Sequence, residues 1–187
     1  MIGLLADSLG DLEAFGAAYE LLLQLGAERF FFAGGGYSDL DDWIAQKRRA
    51  ASRLAHAQAL LRLEDKFVRS PERDSPHYAN PKVGKRAFDM LGEVLCCIVH
   101  DKNDLDREDL LNATVFFHGK GAEPKVVQIG SRFFVTSGQL SGAAEQTCGL
   151  IERADRDLLF SAFALDGRPI VKQQLLAIHK RAKISIK

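Results

Sequence analysis

Four residues that could carry chemistry follow apolar stretches of the chain: Asp7, His100, Lys102 and Lys120. A carboxylate and an imidazole brought close together could bind one divalent metal ion, or could form a hydrogen-bonded pair with a structural role. The two lysines could pair with Asp7, bind a phosphate group as point charges, or remain solvated on surface loops. The residue types therefore leave a metal site, an anion site and a structural role open.

Apolar periodicity indicates how the first of these residues is positioned. Residues 2–6 form an apolar run typical of a buried strand, and apolar residues at helical spacing follow over residues 12–25. A glycine then ends the helix, and residues 29–33 predict a second buried strand. The strands of such a β-α-β unit are parallel, and their carboxyl ends meet at one edge of the sheet. Asp7 and the glycines at residues 34–36 should therefore share that edge.

The segment after these strands is predicted to be helix and loop. The glycine run at residues 34–36 could cradle an anion, but it lacks the spacing of known phosphate loops and also fits a simple turn. A long amphipathic helix should cover residues 39–62, and its basic run at residues 47–49 is either a solvated face or a dock for an acidic partner. A surface loop is expected at residues 70–76 and a short helix at residues 82–91.

The second half of the chain is predicted to consist mainly of strands, with further polar loops at residues 100–103 and 118–121. The predicted elements are a strand at 94–99, a helix at 106–111, a strand at 114–117, a hairpin of 125–129 with 132–135, an antiparallel pair of 148–153 with 158–165, and a strand at 171–178. This order predicts an α/β fold with mixed α+β layers, in which a β-sandwich is flanked by helices. We expect one domain over residues 1–187, with residues 178–187 as a C-terminal tail.

Composition excludes several classes of protein. Hydrophobic residues make up 47% and charged residues 27% of the chain, values typical of soluble globular proteins. Lys plus Arg equals Asp plus Glu at 25 each, so no net field favours nucleic acid or a membrane surface. The first apolar run is too short for a signal peptide, and no run approaches the roughly 20 residues of a membrane span. We therefore expect a cytoplasmic protein that binds neither nucleic acid nor membranes.

The cysteines and two isolated histidines have ordinary interpretations. Cys96, Cys97 and Cys148 lie in apolar runs and should be buried as small hydrophobic residues, with a redox or zinc role as the alternative. His56 lies in the basic helix and His77 in the proline-containing loop region, and neither has a second ligand at a useful spacing. None of these residues is expected to form the site.

The start of the chain carries a family motif in altered form. Residues 2–10 read Ile-Gly-Leu-Leu-Ala-Asp-Ser-Leu-Gly. This segment resembles the strand and Asp-x-His-Gly loop of the calcineurin-like metallophosphoesterase superfamily, in particular its small bacterial phosphodiesterases. Asp7 is kept, whereas Leu9 stands at the position of a histidine ligand. The resemblance extends from Met1 to about Val171 and implies the β-sandwich of that family.

The middle loops follow the family in the same order. Gly35 stands where the family has the aspartate that bridges two metal ions. Pro71 falls in the loop that should read Gly-Asn-x-Asp, and no asparagine is present there. His100 matches the first residue of a His-Gly-His motif, and Lys102 replaces its second histidine. The resemblance therefore assigns Gly35 and Pro71 as degenerate ligand positions and keeps His100.

The later loops keep the framework and lose more ligands. Residues 119–122 match a Gly-His-Thr-His motif, with Lys120 and Ala122 in place of both histidines. The strand at residues 125–130 and the turn at residues 135–141 are also similar to those of the family. The framework is thus matched over most of the chain, while the ligand set is not.

The resemblance implies a chemistry that this chain is poorly equipped to perform. In the family, two metal ions about 3.5 to 4 Å apart clamp a phosphoester, and of the usual ligands this sequence keeps Asp7 and His100. We therefore expect a degenerate, non-catalytic member without a metal cofactor, acting as a protein-interaction or regulatory scaffold. The small retromer scaffold subunit of the same superfamily uses this fold to bind proteins. Leu9, Tyr37 and Trp43 could anchor such a partner or belong to the core.

Two alternatives remain open. One is a metal-dependent phosphodiesterase or phosphatase with a reduced site, in which Asp7 and His100 bind a divalent ion such as Mn²⁺ and Lys102 or Lys120 stabilises charge. The other is a protein that binds phosphate or a nucleotide through the same lysines without hydrolysing it. Metal content separates the first alternative from the scaffold hypothesis, and a thermal shift with phosphates separates the second.

Overall fold

The fold consists of strands, three α-helices and two short 3-10 helices in the part of the chain that the structure describes. The structure is a computed structural model that describes residues 1–35, 37–51, 63–69, 86–154 and 157–175. The helices are α1 (Leu12–Gln24), α2 (Tyr37–Ala51) and α3 (Arg107–Asn112). The strands are β1 (Ile2–Leu5), β2 (Arg29–Phe32), β3 (Phe67–Val68), β4 (Arg86–Leu91), β5 (Val94–Val99), β6 (Val115–His118), β7 (Pro124–Ile129), β8 (Arg132–Ser137), β9 (Thr147–Ala154), β10 (Asp157–Ala164) and β11 (Pro169–Leu175).

Two sheets pack face to face around a shared apolar core. One sheet has the strand order β11-β10-β9-β1-β2-β3, and the other has the order β4-β5-β6-β8-β7. Leu4 and Phe31 of the first sheet and Ile98, Phe117 and Val135 of the second belong to one core cluster, and none is more than 1% exposed. The mixed parallel and antiparallel sandwich confirms the predicted α/β fold with mixed layers.

The predicted β-α-β unit is confirmed. Strands β1 and β2 run parallel, with Ile2 paired to Arg29. Helix α1 begins after Asp11, whose carboxylate accepts a hydrogen bond of 2.9 Å from the N–H of Ala14. The helix ends before Gly26. Its φ of +93° is a conformation that glycine adopts readily because it lacks a β-carbon. The two strands end at the same edge of the sheet.

Helices α1 and α2 cover the outer face of the six-stranded sheet. An aromatic cluster joins them to it, with ring centroids 5.1 Å apart for Phe15 and Trp43 and 4.6 Å apart for Tyr19 and Trp43. Trp43 is 1% exposed, so it belongs to the core and does not anchor a partner. The side chain of Tyr37 lies outside the described residues.

The prediction of a helix at residues 82–91 is wrong for residues 86–91, the part that the structure describes. Residues Arg86–Leu91 form strand β4, which pairs antiparallel with β5 from Arg86 opposite Val99 to Leu91 opposite Val94. Gly92 has a φ of +67°, which permits the tight turn between the two strands. The turn lets residues 86–91 pair with β5, and this cross-strand pairing outweighs the weak helical spacing of apolar residues in the segment.

The rest of the second half agrees with the predicted elements. The β7–β8 hairpin, the β9–β10 pair, strand β11 and the short helix α3 are all present. Several predictions fall outside the described residues: the C-terminal part of the long helix, the loop at residues 70–76 that contains Pro71, the two isolated histidines His56 and His77, and the tail at residues 178–187. No helix in the described ranges is long and apolar enough to span a membrane.

Candidate functional site

Loops that follow β1, β2, β5, β6 and β8 come together at one rim of the sandwich. The N–H of Gly35 donates a 2.7 Å hydrogen bond to Oδ1 of Asp7, which links the first two loops. The N–H of Gly119 donates to the carbonyl oxygen of His100 at 3.1 Å, and the N–H of Leu140 donates to the carbonyl oxygen of Asp7 at 2.8 Å. Hydrogen bonds between the loops therefore hold this rim together.

Asp7 and His100, the two retained ligand positions, are neighbours at this rim. Asp7 is 8% exposed. The Nδ1 atom of His100 lies 3.5 Å from Oδ2 of Asp7 and 3.3 Å from the carbonyl oxygen of Ala33. A proton on Nδ1 would be donated to Ala33 and would face the carboxylate at the limit of hydrogen-bond length. The pair is held by backbone groups of the loop after β2.

A side chain at the position of the expected bridging aspartate would require His100 to shift. A β-carbon built on Gly35 would lie 2.7 Å from Nε2 and 2.9 Å from Cε1 of His100. The imidazole of His100 therefore fills the space beside Gly35. A carboxylate at position 35 could be accommodated only if His100 moved away from Asp7.

Leu9 stands where the resemblance places a histidine ligand, and it points to solvent. It is 66% exposed, and its φ of +49° lies in the left-handed region. Oδ2 of Asp39 accepts hydrogen bonds on either side of Leu9, from the hydroxyl of Ser8 at 2.6 Å and from the N–H of Gly10 at 2.8 Å. This clamp holds a backbone conformation that costs roughly 1–2 kcal/mol for a residue with a β-carbon.

The described residues do not fit the two-metal centre of the resemblance. Within the described ranges, no three His, Cys, Asp or Glu side chains come together as a group that could hold a metal ion. Asp7 and His100 would be the ligands of any single ion, while Leu9, Gly35 and Ala122 have no donor atoms in their side chains. Pro71 lies outside the described residues. The donor set therefore supplies no two-metal clamp.

The two lysines of the predicted pocket belong to the rim loops beside His100, and the N–H of Lys120 donates to the carbonyl oxygen of His100 at 2.9 Å. Lys120 donates a 2.6 Å hydrogen bond to Oδ2 of Asp101, so its partner is not Asp7. The Lys120 hydrogen bond, together with the N–H of Asn103, lowers the pKa of Asp101, and Asp101 in turn raises the pKa of Lys120. Lys102 and Lys120 both line a groove to which Asp7 does not contribute.

His118 is a site residue that sequence reasoning missed. It ends strand β6, is 8% exposed, and its Nδ1 is buried without a hydrogen-bond partner among the described residues. Burial lowers its pKa, and the charge of Lys102 adds to this effect. The available signal was a titratable residue at the end of an otherwise apolar strand, directly before Gly119.

The predicted burial of the cysteines is confirmed. Cys96, Cys97 and Cys148 are fully buried and free. Burial raises the pKa of Cys97 and of Cys148 to about 12, and it raises the pKa of Cys96 as well. Thiols in this state are poor nucleophiles and poor metal ligands.

Comparisons with known proteins give a fold but no close relative. Neither a family model nor a curated protein matches the sequence significantly. Among solved structures, the phosphoesterase YfcE from E. coli is similar at 18% identity, over 93% of this chain and 98% of that chain, with a TM-score of 0.61. Vps29 from Chaetomium thermophilum is similar at 13% identity, over 98% of each chain, with a TM-score of 0.60.

A third similar structure is a predicted phosphoesterase from Streptococcus pneumoniae, at 16% identity over 92% of this chain and 95% of that chain, with a TM-score of 0.57. Likenesses at such identities concern the fold alone. They confirm the fold class that the sequence predicts.

Proposed function

We propose that this chain, which has the calcineurin-like metallophosphoesterase fold, binds another protein at its rim and does not hydrolyse phosphoesters. The observation that carries this proposal is the contact between Gly35 and His100. Because the imidazole fills the space beside Gly35, the rim cannot hold the carboxylate that would bridge two metal ions without a rearrangement.

The state of Asp7 supports the same proposal. Its Oδ1 already accepts a short hydrogen bond from Gly35, and its Oδ2 faces His100. A carboxylate with these partners has a structural role, because it satisfies a backbone N–H at the junction of two loops. A residual phosphodiesterase would have to use this same pair for its metal ion, and binding would compete with the contacts that hold the loops together.

Leu9 is the residue best placed to contact a partner. Exposed apolar side chains are common on protein surfaces, but Leu9 is both exposed and held in a strained conformation. Burial of the leucine side chain against a partner would contribute up to about 1.5–3 kcal/mol, a range that overlaps the roughly 1–2 kcal/mol of backbone strain. Strain of this kind persists where surrounding contacts enforce it and often marks a functional surface.

A photo-crosslinking experiment tests whether a partner binds here. A photoreactive amino acid is placed at position 9 and, as a control, at position 129. Ile129 is 61% exposed and lies at the opposite end of the sandwich from the rim. In extracts of cells that produce the chain naturally, we expect a discrete protein adduct from position 9 and none of the same mass from position 129.

The partner identified in this way is then titrated against purified variants. Leu9→Asp should weaken its binding at least tenfold, about 1.4 kcal/mol, while Ile129→Asp should leave it unchanged. Identical adducts from both positions, or equal weakening by both variants, would contradict a partner bound at the rim.

A further inference from the structure

Four strands lie at the edges of the two sheets: β3 and β11 in one sheet, and β4 and β7 in the other. Native edge strands usually carry a feature that discourages pairing with another chain, such as a proline, a lysine or a very short length. Strand β3 has only two residues. Strands β7 and β11 begin with Pro124 and Pro169 and contain Lys125 and Lys172. Strand β4 is six residues long and has neither proline nor lysine.

The backbone of β4 directs hydrogen-bonding groups toward the free edge. The turn from β4 to β5 has two residues, so the residues that flank it exchange hydrogen bonds with each other. Because this pattern alternates along an antiparallel pair, the N–H and C=O groups of Arg86, Phe88 and Met90 point away from β5. The N–H of Met90 donates to Oδ1 of Asp89 at 2.9 Å. No described strand pairs with this side of β4.

The outer face of β4 is apolar and exposed. Ala87 and Leu91 pack against the core between the sheets, so Phe88 and Met90 point to the opposite face. Phe88 is 44% and Met90 is 52% exposed. A second strand at this edge would cover both side chains and would also pair the free backbone groups.

The charges of β4 do not oppose such a contact. Arg86 lies 2.7 Å from Asp106 and 2.6 Å from Asp109, and Asp89 lies 2.7 Å from Arg29. Both charged side chains of the strand are therefore already paired within the chain. Lys plus Arg also equals Asp plus Glu at 25 each, so two copies of the chain do not repel each other through net charge.

We propose that β4 pairs antiparallel with β4 of a second copy of this chain, about a two-fold axis at Phe88. The two five-stranded sheets then form one continuous sheet. The pairing uses none of the rim residues Asp7, Leu9, Gly35 and His100. It is therefore independent of the protein partner proposed at the rim, and either proposal can fail without the other.

The side chains of β4 select the register of this pairing. Residues opposite each other share a face, so Phe88 can meet Arg86, Phe88 or Met90 of the second copy. A pairing with Met90 would set Asp89 opposite Asp89, and like charges directly opposite each other are destabilising. A pairing with Arg86 would leave fewer residues of each strand paired. A pairing of Phe88 with Phe88 sets Asp89 opposite Ala87 and adds an aromatic contact.

Sedimentation velocity of the full chain over a range of concentrations tests the proposal. We expect a reversible equilibrium between the 20.6 kDa monomer and a species of twice that mass, because two paired strands bury less area than a permanent dimer does. Phe88→Lys places two like charges opposite each other and should weaken dimerisation at least tenfold. Ile129→Lys alters an exposed residue of β7, at the other edge of the same sheet, and should leave dimerisation unchanged.

Cysteine cross-linking tests the register independently of the charge variants. Residues opposite each other in an antiparallel pair have Cα atoms about 5.5 Å apart or closer, within the range of a disulfide. With diamide as oxidant, Phe88→Cys should form a disulfide-linked dimer, whereas Met90→Cys, which lies opposite Arg86, should form far less. The unmodified protein should form none, because its three cysteines are buried.

Three results would overturn the proposal. The first is a monomer at every concentration. The second is a dimer that a folded Phe88→Lys protein, checked by circular dichroism, retains with unchanged affinity. The third is equal cross-linking of Phe88→Cys and Met90→Cys, which would contradict a two-fold axis at Phe88.

Discussion

A β-carbon on Gly119 would lie 1.8 Å from the carbonyl oxygen of Ala33. The loop after β6 in one sheet therefore packs backbone against backbone on the loop after β2 in the other. The N–H of Gly119 also donates to the carbonyl oxygens of Val99 and His100, at 3.2 and 3.1 Å. Gly119 is thus hydrogen-bonded to the end of β5 and the loop after it, and it packs closely against the loop after β2.

We predict that Gly119→Ala lowers the free energy of unfolding by about 3 kcal/mol or more, the upper range for overpacking. Urea denaturation monitored by circular dichroism measures this change. Gly121→Ala is the matched control, because the nearest atoms to its β-carbon would be side-chain atoms of Thr136, at 3.0 Å and beyond. The control should lose about 1 kcal/mol. Equal losses in the two variants would show that the contact with Ala33 does not hold the rim together.

The strain at Leu9 predicts an unusual order of variant stabilities. Leu9→Gly permits the left-handed conformation, whereas Leu9→Ala keeps a β-carbon and therefore keeps the strain. Since the side chain is 66% exposed, its removal should cost little in either variant. We expect the Gly variant to be more stable than the Ala variant by about 1 kcal/mol, as measured by thermal or urea unfolding. A less stable Gly variant would mean that residue 9 is not strained.

The cap of helix α3 predicts a particular loss of stability in acid. The hydrogen bond from the N–H of Asp109 does most to lower the pKa of Asp106, and the positive charge of Arg86 lowers it further. Because the folded-state pKa is below that of the unfolded chain, about 3.9, the stabilisation is complete above that value. It is lost as the pH falls through the folded-state pKa. Asp109 acts in the opposite direction, since burial raises its pKa.

Asp106→Asn isolates this effect, because asparagine also caps helices and does not titrate. We expect a small loss of stability at pH 7, because the ion pair with Arg86 is removed, and a shallower fall in stability below about pH 4. Asp42→Asn, which removes an exposed carboxylate from α2, is the control and should keep the slope of the unmodified protein. An unchanged acid slope in Asp106→Asn would contradict the lowered pKa.

The buried cysteines predict slow thiol chemistry in the folded protein. Because burial raises the pKa of Cys97 and of Cys148 to about 12, few thiolates are present at pH 8. We expect an aromatic disulfide reagent to modify none of the three thiols rapidly under native conditions and all three after unfolding in urea. Rapid stoichiometric modification of the native protein would instead indicate an accessible, activated cysteine.

The fold could be predicted from the sequence because its strands are short apolar runs separated by glycine-rich or polar loops. The parallel β1 and β2, the β7–β8 hairpin and the β9–β10 pair all follow from this local pattern. Strand β4 was missed because its alternation is weak: Ala87 and Leu91 face the core, while Phe88 and Met90 remain exposed on the other face. Pairing with β5, which local spacing does not reveal, decides its conformation.

The candidate site could be predicted only as a set of loops. The sequence places Asp7 and His100 at strand ends, and the structure brings them within 3.5 Å. The sequence does not show that His100 fills the space beside Gly35, because this depends on contacts between the two sheets. It also does not show that Lys120 pairs with Asp101 or that His118 is buried with an unpaired nitrogen. Side-chain partners of this kind are set by tertiary packing.

The most direct test of the central claim is the metal content of the purified, never-chelated protein, combined with hydrolysis of a bis-aryl phosphodiester in added Mn²⁺. The non-catalytic scaffold predicts far less than one metal ion per chain and no more turnover than Asp7→Ala or His100→Ala shows under the same conditions. Stoichiometric metal, with turnover that both substitutions abolish, would contradict it and would make this chain a phosphodiesterase with a reduced metal site.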